Sequence, residues 1–137
     1  MRREEAIVAA ARGLVGAPFR LHGRDPAMGL DCVGVVALAL VAAGCRGVAR
    51  AVPDGYRLRG GALALHEARL RAAGLVRAGG QRPGDVLLVE AGVAQFHLMI
   101  ATGDGHVHAH AGLGRVVDMP GPSPWPVLGR WRWREAA

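Results

Sequence analysis

The sequence predicts an α+β fold, with helices at the front of the chain and an antiparallel sheet behind them. Two observations carry that reading. Apolar residues recur at helical spacing, or run unbroken for the length of a helix, before Gly79-Gly80. After it, short apolar or alternating runs are separated by Gly, Pro and Asp, as in a strand meander. The order lacks the βαβ alternation of a parallel sheet, and no internal repeat or linker divides the chain. Residues 1–137 therefore read as a single domain, long enough for one core and too short for two ordinary ones.

Each element has its own signal. Residues 3–15 place Ile7, Ala10, Ala11, Leu14 and Val15 at helical spacing, with Gly16 and Pro18 as the stop. Residues 16–30 form a loop punctuated by Gly23, Pro26 and Gly29. Asp31 is a good N-cap type for a helix running to about Ala43 and ended by Gly44. That helix is apolar nearly all round and belongs at the centre of the fold. Residues 46–60 read as irregular, with a turn at Pro53-Asp54-Gly55. Residues 61–73 form another amphipathic helix, with Leu63, His66, Leu70 and Ala73 on one side.

Arg82-Pro83-Gly84-Asp85 is a turn into a short buried strand at 86–89. Residues 95–102 and 106–111 form a hairpin around Gly103-Asp104-Gly105, and 115–118 continues the sheet. Four prolines stiffen 120–126, and Trp131-Arg132-Trp133 alternates as a closing edge strand should.

Composition narrows the function classes. At 51% apolar residues the chain is not disordered, and with 4% aromatics its core must be built from Ala, Val and Leu. The net charge of +6 comes entirely from arginine, since lysine is absent. Such a charge suits an anionic polymer such as a cell wall or nucleic acid. The arginines are scattered, however, with no basic helix, aromatic platform or zinc-finger spacing, so no nucleic-acid partner is expected. Glu4, Glu5 and a short apolar stretch argue against a secretory signal, and the run from Val33 to Ala43 is too short to span a bilayer. Synthesis in the cytoplasm and no membrane insertion are the expectations.

One position points to a reaction. Cys32, directly after Asp31, falls on the first turn of the apolar helix, where unpaired backbone N–H groups and the positive end of the macrodipole favour thiolate. With a histidine alongside, that is the recipe for a nucleophilic cysteine. His97 opens the strand at 95–102, and His106, His108 and His110 alternate along the next, all on one face. A two-residue turn at Asp104-Gly105 puts His97 on that face too, nearer His110. From spacing alone thiol catalysis, metal binding by the His-x-His-x-His segment, and purely structural histidines all stay open. Cys45 reads as a small buried residue at the helix end; about 20 Å of helical rise from Cys32 rules out a disulfide.

A resemblance narrows these options. Gly16-Ala17-Pro18-Phe19 followed by Gly29-Leu30-Asp31-Cys32-Val33-Gly34 resembles the N-terminal half of the NlpC family of papain-like peptidoglycan peptidases. Pro83-Gly84-Asp85-Val86, His97-Leu98-Met99-Ile100 and Val107-His108-Ala109 resemble later motifs of that family, in the same order. The resemblance implies a papain-like fold with helices packed on the sheet. Cys32 would be the nucleophile, His97 the base and later the acid, and His108 the residue that orients His97. His110 is the alternative third residue, because the hairpin is tighter than the family pattern. Asp31 would shape the helix start, and Tyr56 would line the substrate groove.

Val33 stands where the family usually has Ser, as in members from phage-tail and gene-transfer-agent clusters. The implied function is hydrolysis of amide bonds in peptidoglycan stem peptides by a tail-borne enzyme acting on the periplasmic cell wall. Tail hub proteins would be its partners, and no metal or cofactor is required. The rivals are a tail-tip or hub component with a vestigial site and, more distantly, a histidine-rich metal-binding protein.

Overall fold

A computed structural model describes residues 2–51, 58 and 60–134. The Pro53-Asp54-Gly55 turn and Tyr56 lie outside the described residues. The chain runs α1 (Arg3–Arg12), β1 (Arg24–Asp25), β2 (Gly29–Leu30), α2 (Cys32–Ala42), α3 (Val48–Ala51), α4 (Leu63–Ala72), then β3 (Leu75–Arg77), β4 (Val86–Gly92), β5 (Gln95–Ala101), β6 (Gly105–His110), β7 (Arg115–Pro120) and β8 (Val127–Trp133). The fold is α+β, with a six-stranded antiparallel sheet in the order β3-β8-β4-β5-β6-β7 and a small β1-β2 ladder beside it.

α2 sits where its composition demands. It touches α1, α3, β5 and β6, and Val35, Ala39 and Leu40 are wholly enclosed. Its far end closes as expected: Gly44, in the left-handed region, donates to Val41 O at 3.0 Å and Cys45 N to Leu40 O at 2.9 Å. This face of the sheet carries the main core, with Val86, Leu88, Leu98, Ile100, Val107 and Trp131 meeting the helices. On the opposite face Leu87, Val89, Met99 and Ala101 form a smaller cluster under Trp125.

Several elements differ from expectation, among them α3 inside the 46–60 segment expected to be irregular, the β1-β2 ladder inside the 16–30 loop, and β4, which runs on to Gly92. α1 stops at Arg12, because the chain then tightens through turns that deliver Gly16 N to Val116 O at 2.9 Å. Segment 16–19 thereby lies along β7, covering part of that open edge, with Val116 N returning to Ala17 O at 2.9 Å. α4 starts at Leu63, because Ala62 is still extended. β8 is not the closing edge: it lies between β3 and β4, and β3 takes the edge. Burying Trp131 completely requires strands on both sides, and the three-residue β3 is too short to announce itself in the sequence.

The turn before β4 is anchored by Asp85, 1% exposed, whose carboxylate accepts from Arg132 Nε at 2.7 Å and Nη2 at 2.9 Å and from Arg130 Nε at 3.2 Å. It ties the start of β4 to β8. Asp85→Ala should lower stability by about 2–4 kcal/mol, because it leaves two half-buried guanidinium groups without their acceptor. Asp85→Asn should lose less; urea unfolding midpoints of the two variants measure the difference.

Candidate active site

Asp31 fixes the start of α2. Its Oδ1 accepts from Gly34 N at 2.8 Å, which caps the helix, and from Arg24 Nη1 at 2.8 Å. Its Oδ2 accepts from His22 N at 2.8 Å. One buried carboxylate thus holds both the helix and the loop that covers it. His22 adopts φ 61, a left-handed conformation uncommon outside glycine though open to histidine, and the bond from its amide to Asp31 helps to hold it. Gly34 has to be glycine, since a Cβ there would collide with the Gly23 carbonyl.

Cys32 is the first residue of α2, 9% exposed, and it lines a cavity of about 720 Å³ with Asp31, Val33, Phe19, His97 and His108. Its thiol is pushed up to about 12, chiefly by burial and further by the Asp31 carboxylate; the Leu98 and Val33 amides and Arg24 oppose this. The expected thiolate preference is therefore overturned. Desolvation outweighs the helix terminus, and the resting side chain is a neutral thiol.

The histidines come from a place where the sheet opens. β4 and β5 pair from Val86↔Ile100 to Gly92↔Gln95, and β6 and β7 from Gly105↔Pro120 to His110↔Arg115. Between these hairpins, β5 and β6 share only Ile100↔Val107 and Ala101↔His106. Beyond that point the strands part, and the first turn of α2 brings Cys32 to the gap, beside the Leu98 amide.

The connecting turn is Gly103-Asp104, closed by Thr102 N to Gly105 O at 3.0 Å, one residue earlier than expected. This moves the register by a whole pleat, so His97 keeps the face of His106, His108 and His110.

The parting of the strands decides the partner of His97. Its Nε2 lies 2.8 Å from His108 Nδ1, diagonally across the gap, with ring centroids 4.9 Å apart. The expectation that His97 lies nearer His110 is corrected: the Nδ1 of His110 accepts from Leu113 N at 3.0 Å and fixes the next turn. His97 is held at about 4, first by burial and then by the neighbouring His110 and His106; Asp31 opposes. His108 is held at about 3, by burial and then by His97, His106 and His110, against the Ala109 backbone. Both imidazoles are neutral at pH 7. With His97 Nε2 as the donor, its Nδ1 carries the lone pair and has no other partner among the described residues.

Of the expected residues, Asp31, Cys32, His97, His108 and His110 all line one cavity. Among the described residues no three His, Cys, Asp or Glu side chains converge as metal ligands do. Sequence reasoning missed Arg24, which bonds to Asp31, and Trp125, which faces both His97 and His108. Arg24 has no sequence signal. A lone Trp inside the proline-rich 120–126 segment was the available hint for Trp125.

These low values have a stability consequence. In the unfolded chain both imidazoles take up protons below about pH 6.5, whereas the folded protein keeps them neutral to about 4 and 3. The unfolded state therefore binds more protons in this window, and stability should fall as pH drops from 6.5 toward 4. Melting temperatures measured across that range should fall less steeply for His108→Gln than for the wild-type chain.

No family model matches the sequence, and no curated protein matches it. Solved structures do. The NlpC/p60 domain of the peptidoglycan hydrolase SagA aligns with a TM-score of 0.60 at 24% identity, over 85% of this chain and 88% of that one. RipD from Mycobacterium tuberculosis, described as a non-catalytic NlpC/p60 domain protein adapted to peptidoglycan binding, aligns at 0.61 and 13% identity over 96% of both chains. The P60 domain of an antigen from M. avium subspecies paratuberculosis aligns at 0.57 and 19% identity, over 96% of this chain and 93% of that one. With its antiparallel sheet, the central helix beginning at Cys32 and the helices around it, the chain has the NlpC/p60 fold.

Proposed function

We propose that the protein is a cysteine peptidase that hydrolyses amide bonds in peptidoglycan stem peptides. The observation that carries this reading is the His97–His108 hydrogen bond, whose two rings line the same cavity as Cys32. A histidine base already held by a second ring is what nucleophilic thiol chemistry needs. Cys32 Sγ attacks the scissile carbonyl as its proton passes to His97 Nδ1, and His108 accepts the His97 Nε2–H throughout. The neutral resting pair requires transfer and C–S bond formation to proceed together. The Cys32 backbone N–H, which has no acceptor among the described residues, is the candidate donor to the oxyanion.

His97 then returns the proton to the departing amine, leaving an acyl-enzyme. It next takes a proton from water, which attacks the acyl carbon and releases the thiol. The bond cleaved follows a D-γ-glutamyl residue, as in the family that the sequence resembles.

The raised thiol favours a second reading, in which the cavity binds stem peptides without turnover; RipD is a neighbour of that kind. Purified sacculi separate the two. Wild-type protein should release soluble peptide fragments, and Cys32→Ala should reduce release by at least about a thousandfold, as removal of a nucleophile does. Co-sedimentation with sacculi, without release, would establish the binding reading instead.

Val33 supports delivery by a phage-type or gene-transfer-agent tail; it is a buried residue at the cavity in the first turn of α2. Mass spectrometry of purified particles should then find the protein with tail hub components, and particles lacking it would remove the delivery reading.

A further inference from the structure

Trp125 lies in the connector between β7 and β8, outside the sheet. The connector is pinned at both ends, by Gly121 N to Asp104 O at 2.8 Å and by Glu90 N to Pro126 O at 3.1 Å. Ser123 Oγ donates to Trp125 O at 2.8 Å and accepts from Trp125 N at 3.1 Å, which locks the backbone at the indole. Pro122, Pro124 and Pro126 remove further freedom from the segment. The indole packs on Leu87, Val89, Met99 and Ala101 and meets two imidazoles at once. It stands at 78° to His97 with centroids 5.6 Å apart, and at 87° to His108 with centroids 5.7 Å apart.

We infer that Trp125 is a positioning residue, whose indole holds both rings of the His97–His108 pair in register and keeps water off the bond between them. The inference rests on the peptidase reading for its catalytic meaning, although its geometry stands without it. A hydrogen bond between neutral imidazoles competes poorly with water, and excluding water strengthens it. Edge-to-face contact on two rings also fixes their planes, because rotating either imidazole forfeits the contact. When His97 becomes imidazolium it lies within the ~6 Å reach of the indole π-system. The ionisable groups that face the pair are His106 and His110 from β6 and Cys32 and Asp31 from the start of α2. Residues 121–126 contribute none, so a change in Trp125 alters solvation and orientation without altering charge.

NMR titration of the histidine rings tests this without substrate. Trp125→Ala should raise the His97 and His108 midpoints by about one pH unit as water returns. It should also abolish the slowly exchanging N–H signal of the pair. Trp125→Phe keeps an aromatic ring and should keep both properties. Ser123→Ala leaves the indole in place but frees its backbone, and should give an intermediate shift. On sacculi the Trp125→Ala variant should show kcat reduced about tenfold; because the indole also lines the cavity, the ring midpoints rather than KM carry the test of positioning.

A folded Trp125→Ala protein with wild-type midpoints and an intact N–H signal would overturn the inference. If that variant fails to fold, Ser123→Ala decides: wild-type midpoints there overturn it, and raised midpoints support it. The midpoints are read on the free protein, so absence of peptide release from sacculi would defeat the peptidase reading and leave this result standing.

Discussion

Three donors converge on the Asp31 carboxylate, and the placement of the helix start, of the loop over it and of Cys32 depends on that convergence. Gly34 N brings the helix, His22 N brings the loop, and Arg24 brings a compensating charge. A buried carboxylate is tolerable only when its lone pairs are occupied, and here the groups that occupy them are the ones whose positions matter. Cys32 is the next residue, so its direction follows from the cap.

The sheet supplies the complementary constraint. Two complete hairpins, β4-β5 and β6-β7, are stitched together at only two residue pairs, and the unstitched length is where the helix meets the histidines. A fully laddered β5 and β6 would set His97 opposite His110 and leave no room for the helix start. The site therefore exists because a hydrogen-bond ladder is incomplete. The backbone groups released there are put to use: the Leu98 amide lies against the thiol.

Much of this was legible in the residues. The N-cap at Asp31, the Schellman ending at Gly44, the apolar character of α2 and the strand meander follow from local chemistry, which one sequence carries in full. The shared face of His97, His106, His108 and His110 followed from period-two alternation and survived an error in the turn, because a whole-pleat shift preserves the face. What sequence could not supply was non-local. The identity of the ring beside His97 depends on where two strands part. The interior place of β8 depends on a three-residue strand drawn in from elsewhere. The thiol's protonation departs from expectation because the helix terminus is visible in sequence, whereas the burial that outweighs it is a property of the assembled core.

That burial has a consequence for the lifetime of the protein. Peroxides and disulfides react with thiolate, and a sulfur that is neutral and almost covered presents little of it. Cys45, likewise buried and raised by desolvation, offers no neighbouring partner for exchange. A chain carried through an oxidising compartment would thus arrive with its sulfur still reduced. On the proposed peptidase reading, the same desolvation that would make Cys32 costly to deprotonate would also shield it from oxidation before it meets a substrate.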